Sequence, residues 1–192
     1  MVRVILGSAA AAIAMFIIGF IFFATPLQGL GVARIDDAQA AAVQRALAVS
    51  LQRTGTYQVP GTNTPAQTNM YSRGPIATVH YNTDGFAATE TTSLAFGLVF
   101  NFIVALLIGL GLLGMGQRVP DFASRGRVAV LVAVAAAAYT HLGEPIFLHH
   151  DWGHFIYLFV ADALTLAAAG IIVAWFLPGS RAAAPADAPT DV

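Results

Sequence analysis

The sequence predicts an all-α membrane protein: a four-helix transmembrane bundle with a small α+β extracytoplasmic cap inserted between helices 1 and 2. Three observations predict it. First, four long apolar runs, Val4–Ala24, Leu94–Met115, Val128–Gly143 and Phe155–Leu177, contain one ionised side chain, Asp162, and one histidine, His141. A spanning helix needs about 20 apolar residues to cross a hydrocarbon layer of about 30 Å. Three runs reach that length and the third is a little short. Second, only 10% of the 192 residues are charged, whereas 57% are hydrophobic. Soluble domains average about 25% charged residues, and a charge at the bilayer centre costs about 2.5–3.5 kcal/mol. Third, most of the polar residues gather in one segment, 26–92, between the first two runs.

Residues 1–25 form the first span. Its apolar stretch is longer than the roughly 7–15 residues of a signal-peptide core. The nearest small-x-small site, Ala38-Gln39-Ala40, lies well past the apolar end. A retained anchor is therefore expected. Residues 26–92 form the cap. Asp36 and Gln39 stand at capping-box spacing, and good helix formers follow, which predicts a helix over 36–53. Ala40, Val43, Leu47 and Leu51 make a narrow apolar stripe along it, expected to pack on the cap's second half. Pro60-Gly61 opens a polar stretch of turn formers through Asn69. Alternation over Ile76–Tyr81 predicts a strand that pairs with 56–59. Such a ribbon is marginal alone and needs a floor. Asn82-Thr83-Asp84-Gly85 signals a tight turn, and Thr92 or Ser93 caps span two. Residues 93–178 hold spans two to four, with a link at 144–154 between the last two. The Ala- and Pro-rich tail, 179–192, reads as disordered and cytoplasmic. The glycines at 109, 111, 114 and 116 suggest close helix approach at one end of span two.

Orientation follows from arginine. Arg3, the link residues Arg118, Arg125 and Arg127, and Arg181 agree with one another if both termini are cytoplasmic. The nine basic residues are all Arg and alanine is abundant. That usage suits a GC-rich bacterial genome, so the expected location is the bacterial cytoplasmic (inner) membrane.

Composition also excludes functions. The chain has no cysteine, so disulfides, thiolate metal sites and cysteine nucleophiles are out. Its net charge of −1 makes no electrostatic case for nucleic acid. No Gly-x-Ser-x-Gly and no phosphate-cradling glycine loop is present. No span carries the charge ring of an ion channel. No catalytic residues are assigned.

Two constellations remain. Asn101, Tyr139, His141 and Asp162 approach one layer about 10 Å below the outer surface, counting 1.5 Å per residue. A carboxylate in lipid must find a partner or turn inward. Asp162 is therefore expected to face the bundle interior, with Asn101, Tyr139 or His141 as its hydrogen-bond partner. Such groups either join helices or form a ligand or proton site. The second constellation is Glu144, His149, His150, Asp151 and His154. These residue types could bind a transition metal, and His141 with His150 or His154 could hold haem b. Beside them, Trp152, Phe155 and Tyr157 equally suit an interfacial aromatic belt. No spacing in the set is diagnostic, and no cofactor is required.

Three stretches carry a resemblance: the first span running into Thr25-Pro26-Leu27, Gly55-Thr56-Tyr57-Gln58-Val59-Pro60, and Arg73-Gly74-Pro75-Ile76. In these the chain resembles small bacterial four-span integral membrane proteins with no assigned activity. The resemblance implies a shared architecture and brings no activity with it. The histidine-rich link at 149–154 is not part of that pattern.

The leading expectation is a non-enzymatic accessory or scaffold protein. It would lie in the lipid bilayer and contact a larger membrane complex, a periplasmic partner or further copies of itself. The alternative is a haem- or metal-binding redox protein using His141, His149, His150 and His154. A small ligand-binding or transport bundle around Asp162 ranks third.

Overall fold

The computed structural model describes residues 1–88, 90–116 and 118–178. The tail proposed as disordered lies outside them. The chain divides into two compact units, one formed by residues 1–32 with 91 onward, the other by Ala33–Glu90.

The first unit holds four long helices: α1 (Val2–Phe23), α4 (Thr91–Gly114), α5 (Phe122–Leu148) and α6 (Trp152–Phe176). Each is long and apolar enough to cross a membrane. Much of their apolar surface faces outward, including Phe96, Phe100, Leu107, Leu131 and Trp175. Exposed apolar area on this scale needs a non-aqueous neighbour, as a multi-pass membrane protein has. Below, the insert end means the end where α1 finishes and α4 begins, and the far end is the opposite one.

Helix α6 packs against both α5 and α1, and α1 against α4, whereas α4 and α5 barely meet. Small residues let the backbones close. Ala129, Ala133 and Ala137 recur every fourth residue on α5 and are buried. They face a helix that buries Ala161, Ala169, Gly170, Val173 and Ala174. At the tightest point a Cβ on Gly170 would lie 2.5 Å from the Ala129 Cβ. On α4, Gly109 alone of the expected glycines lies against other helices: a Cβ there would sit 2.9 Å from Val4 Cγ1 and 3.1 Å from Val173 Cγ1. Gly111 and Gly114 have open space around them.

Helix α5 corrects the third apolar run. It extends from Phe122 to Leu148, well beyond Val128–Gly143 at both ends. Asp121 caps it, accepting the Ser124 N–H at 2.9 Å. That hydrogen bond is the main cause holding the Asp121 carboxyl below its ordinary range. Arg125 and Arg127 thus belong to the helix rather than to a link. Arg125 is buried and donates Nε to the Val119 carbonyl and Nη1 to the Pro178 carbonyl, both at 2.9 Å. It ties the α4–α5 link to the exit of α6. At the other end α5 runs through Pro145, so Glu144 is helical, and the connection to α6 shrinks to His149–Asp151. Proline has no N–H to give the carbonyl four residues earlier, here that of His141.

The second unit is helix–strand–helix–strand. Helix α2 (Asp37–Ser50) starts at the Asp36–Gln39 capping box, with bonds of 2.7 and 3.1 Å. It ends three residues short of the expected boundary. Strands β1 (Gly55–Val59) and β2 (Ala77–Tyr81) pair antiparallel, Gly55 opposite Tyr81 and Val59 opposite Ala77. Between them lies α3 (Pro65–Arg73), which begins inside the stretch of turn formers that ends at Asn69 and continues past it. Thr64 caps it, Pro65 opens it without wasting an N–H, and Gly74 closes it at φ 64°. Leu47 and Leu51 of the α2 stripe are half-buried, but Ala40 and Val43 are exposed. A shallow groove separates Ala41, Gln44, Arg45, Leu47 and Ala48 from Tyr81–Gly85.

Candidate functional site

A turn of three residues makes α5 and α6 an antiparallel pair. Residues at similar distances from the turn therefore meet. His141 and Asp162 do so, with Nε2 2.6 Å from Oδ2. Bonds of this length between an imidazole and a carboxylate are charge-assisted and strong. The His141 side chain is 12% exposed and that of Asp162 44%. The two ends of this bond thus differ: the imidazole is enclosed, and the carboxylate is open on one side.

That open side is a cavity of ≈ 360 Å³ between α1, α4 and α6. Asn101 and Asp162 both line it. Each lies ten residues inside its helix, from Thr91 and Trp152 respectively. At 1.5 Å per residue both are about 15 Å from the insert end. The layer is deeper than the sequence count because both helices begin earlier than the apolar runs. Tyr139 does not join it: its side chain is 89% exposed and points away from the other helices.

Sequence reasoning missed several lining residues. Thr165 stands one turn beyond Asp162 and donates its hydroxyl proton to the Ala161 carbonyl at 2.7 Å. Its i+3 spacing from Asp162 is the signal that could have found it. Met15, Phe16, Gly19, Phe20 and Phe23 come from α1. In a uniformly apolar helix nothing in the sequence marks which residues face a cavity.

The histidine-rich constellation does not come together as one ligand set. Among the described residues no three of His, Asp or Glu converge as metal ligands would. His149 ends α5 in the left-handed conformation, φ 57°. His150 Nδ1 lies 3.1 Å from Glu144 Oε2, and its ring stacks on Phe155. Asp151 caps α6, accepting the His154 N–H at 2.8 Å and the Gly153 N–H at 3.3 Å. His154 Nδ1 lies 2.7 Å from the Gly31 carbonyl. One turn on, the Tyr157 hydroxyl donates to the Phe22 carbonyl at 2.5 Å, and its ring meets Phe22 and Phe23 edge-on. His154 and Tyr157 thus clasp the exit of α1 to the start of α6. Of the histidines that could serve a haem between spans, His141 is held through Nε2 by Asp162 and His154 through Nδ1 by the Gly31 carbonyl, contacts that leave the second ring nitrogen of each uninvolved.

No protein family, curated protein or solved structure matches this chain in comparison, so the resemblance to small four-span proteins stands on its three short stretches alone.

Proposed function

We propose that the chain is a non-enzymatic accessory or scaffold protein of the bacterial cytoplasmic membrane. In this reading its termini are cytoplasmic and its four apolar helices anchor the 33–90 unit on the outer side. That unit meets a larger membrane complex, a periplasmic partner or a second copy. One observation carries the proposal: Ala33–Glu90 is compact in its own right. It has two capped helices and a paired ribbon. A connection between two spans needs none of this, and long ordered insertions are usually functional. The groove between α2 and the β2 exit presents Arg45 and Asp84 on opposite sides, a mixed-charge surface suited to a protein partner. The redox alternative rests on His141, His149, His150 and His154, and it would show itself by a Soret band or stoichiometric metal.

Site-specific photocrosslinking tests the reading. A crosslinker at position 45 or 84, introduced in cells, should give one discrete adduct retained through mild-detergent purification. The same group at Leu131, on an outward apolar face, should not. Equal or absent adducts at all three positions would remove the proposal. An adduct of twice the chain mass would identify the partner as a second copy.

A further inference from the structure

The cavity beside Asp162 has a chemistry that an accessory role does not use. Its polar lining is Asp162, Asn101 and Thr165. Asp162 Oδ2 is engaged by His141, while Oδ1 takes no hydrogen bond from the described residues. The Thr165 proton is committed to Ala161, so its oxygen lone pairs are what it offers. Asn101 adds an amide. The described arginines of this unit, Arg3, Arg118, Arg125 and Arg127, all lie at the far end of the spans. His141 reaches Asp162 from α5, whereas the Asp162 side chain is 44% exposed and lines the cavity, so its open side offers an acidic group to whatever enters.

The rest of the lining is apolar and aromatic. Phe16, Phe20 and Phe23 bring three phenyl rings from one helix, and Met15 and Leu94 add aliphatic surface. Phenyl faces attract cations, by about 0.5–2 kcal/mol depending on solvation. The volume of ≈ 360 Å³ falls within the usual small-molecule range. Phe23, Ala24 and Leu94 lie at the insert end, so the cavity runs inward from there to the carboxylate.

We propose that this cavity binds a lipophilic organic cation, its charge on the Asp162 carboxylate beside Asn101 and its apolar body against the α1 phenylalanines. His141 holds the carboxylate in place from α5. The carboxylate supplies the charge selectivity, and the aromatic wall supplies tolerance for different apolar bodies.

The probe is tritiated tetraphenylphosphonium, titrated onto the full chain in phosphatidylcholine nanodiscs with empty discs subtracted. Saturable binding of one cation per chain is expected. Asp162→Asn should weaken it at least tenfold. Gly19→Leu provides an independent variant, because Gly19 lines the cavity and a Cβ there meets nothing within 4 Å. The leucine enters the cavity from α1, whereas the His141–Asp162 bond joins α5 to α6, so helicity and melting temperature should hold while binding falls tenfold or more. Neutral triphenylphosphine oxide should not compete. Binding no greater than to empty discs, full binding by folded Gly19→Leu, or equal competition by the neutral compound would each overturn the proposal. If Asp162→Asn does not fold, Gly19→Leu and the neutral competitor decide the matter.

Discussion

Gly170 is the position where the packing of the bundle is most exposed to test. A Cβ added there would lie 2.5 Å from the Ala129 Cβ and 3.5 Å from its Cα. Carbon atoms pack best at about 3.5–4.0 Å. Gly170→Ala therefore forces α5 and α6 apart by about 1 Å, because an alanine methyl cannot swing aside. Overpacking of this kind costs about 1–3 kcal/mol. Glycine to alanine in a helix also gains about 0.8–1 kcal/mol of propensity, which would mask part of the loss. Gly97→Ala provides the reference: it sits inside α4, and its Cβ would meet nothing within 4 Å. The difference between the two variants isolates the clash and should be about 1–3 kcal/mol. Ala129→Gly removes the methyl that is struck, so the double variant merely moves one methyl across the interface. Its stability should exceed the sum of the single effects by a similar amount. Unfolding in mixed dodecylmaltoside and SDS micelles, followed by far-UV circular dichroism, measures all four variants. If Gly170→Ala matches Gly97→Ala, or the double variant shows no coupling, the α5–α6 contact is not as described.

Further outcomes follow from single side chains. Ser8 is wholly buried and its hydroxyl has no partner among the described residues, so Ser8→Ala should raise stability by about 1 kcal/mol in the same assay. Arg125→Met keeps the stem but strands the Val119 and Pro178 carbonyls, and should lower stability by about 1–3 kcal/mol. The Asp121 cap carries a pH signature. Its folded pKa lies below the unfolded value, so its contribution is complete above the unfolded pKa and is lost as pH falls through the folded one. Plots of melting temperature against pH for the parent and Asp121→Asn should run parallel above about pH 4 and converge only below it, as the parent loses its advantage.

The sequence carried the spans and the cap helix plainly, for identifiable reasons. Long apolar runs, broken by a single ionised residue, Asp162, mark three helices, and the Asp36–Gln39 pair marks the start of α2 through reciprocal hydrogen bonds. Helix α5 is longer than its apolar run because Arg125, Arg127 and Pro145 interrupt the hydropathy, yet the helix continues through all three, with Arg125 and Pro145 buried. Helix α3 was hidden among turn formers, yet Thr64-Pro65 with Gln67 and Gly74 are its start and stop signals. Spacing and depth alone offer Asp162 three partners, Asn101, Tyr139 and His141. Tyr139 and His141 are two residues apart, about 200° around a helix, so they cannot share a face, and the periodicity alone separates them. Which of the two points inward is set by the buried Ala129–Ala133–Ala137 stripe, and an alanine-rich helix gives little sign of its own phase.

The even number of crossings, with the 33–90 unit and the α4–α5 link on opposite sides, is the claim on which the rest stands. The chain has no cysteine of its own, so Asn63→Cys and Pro120→Cys introduce single labels. Treated with a membrane-impermeant maleimide, right-side-out vesicles should label position 63 and spare position 120. Inverted vesicles should do the reverse. Labelling of both positions from the same side would contradict the four-span arrangement and the depth of Asp162 with it.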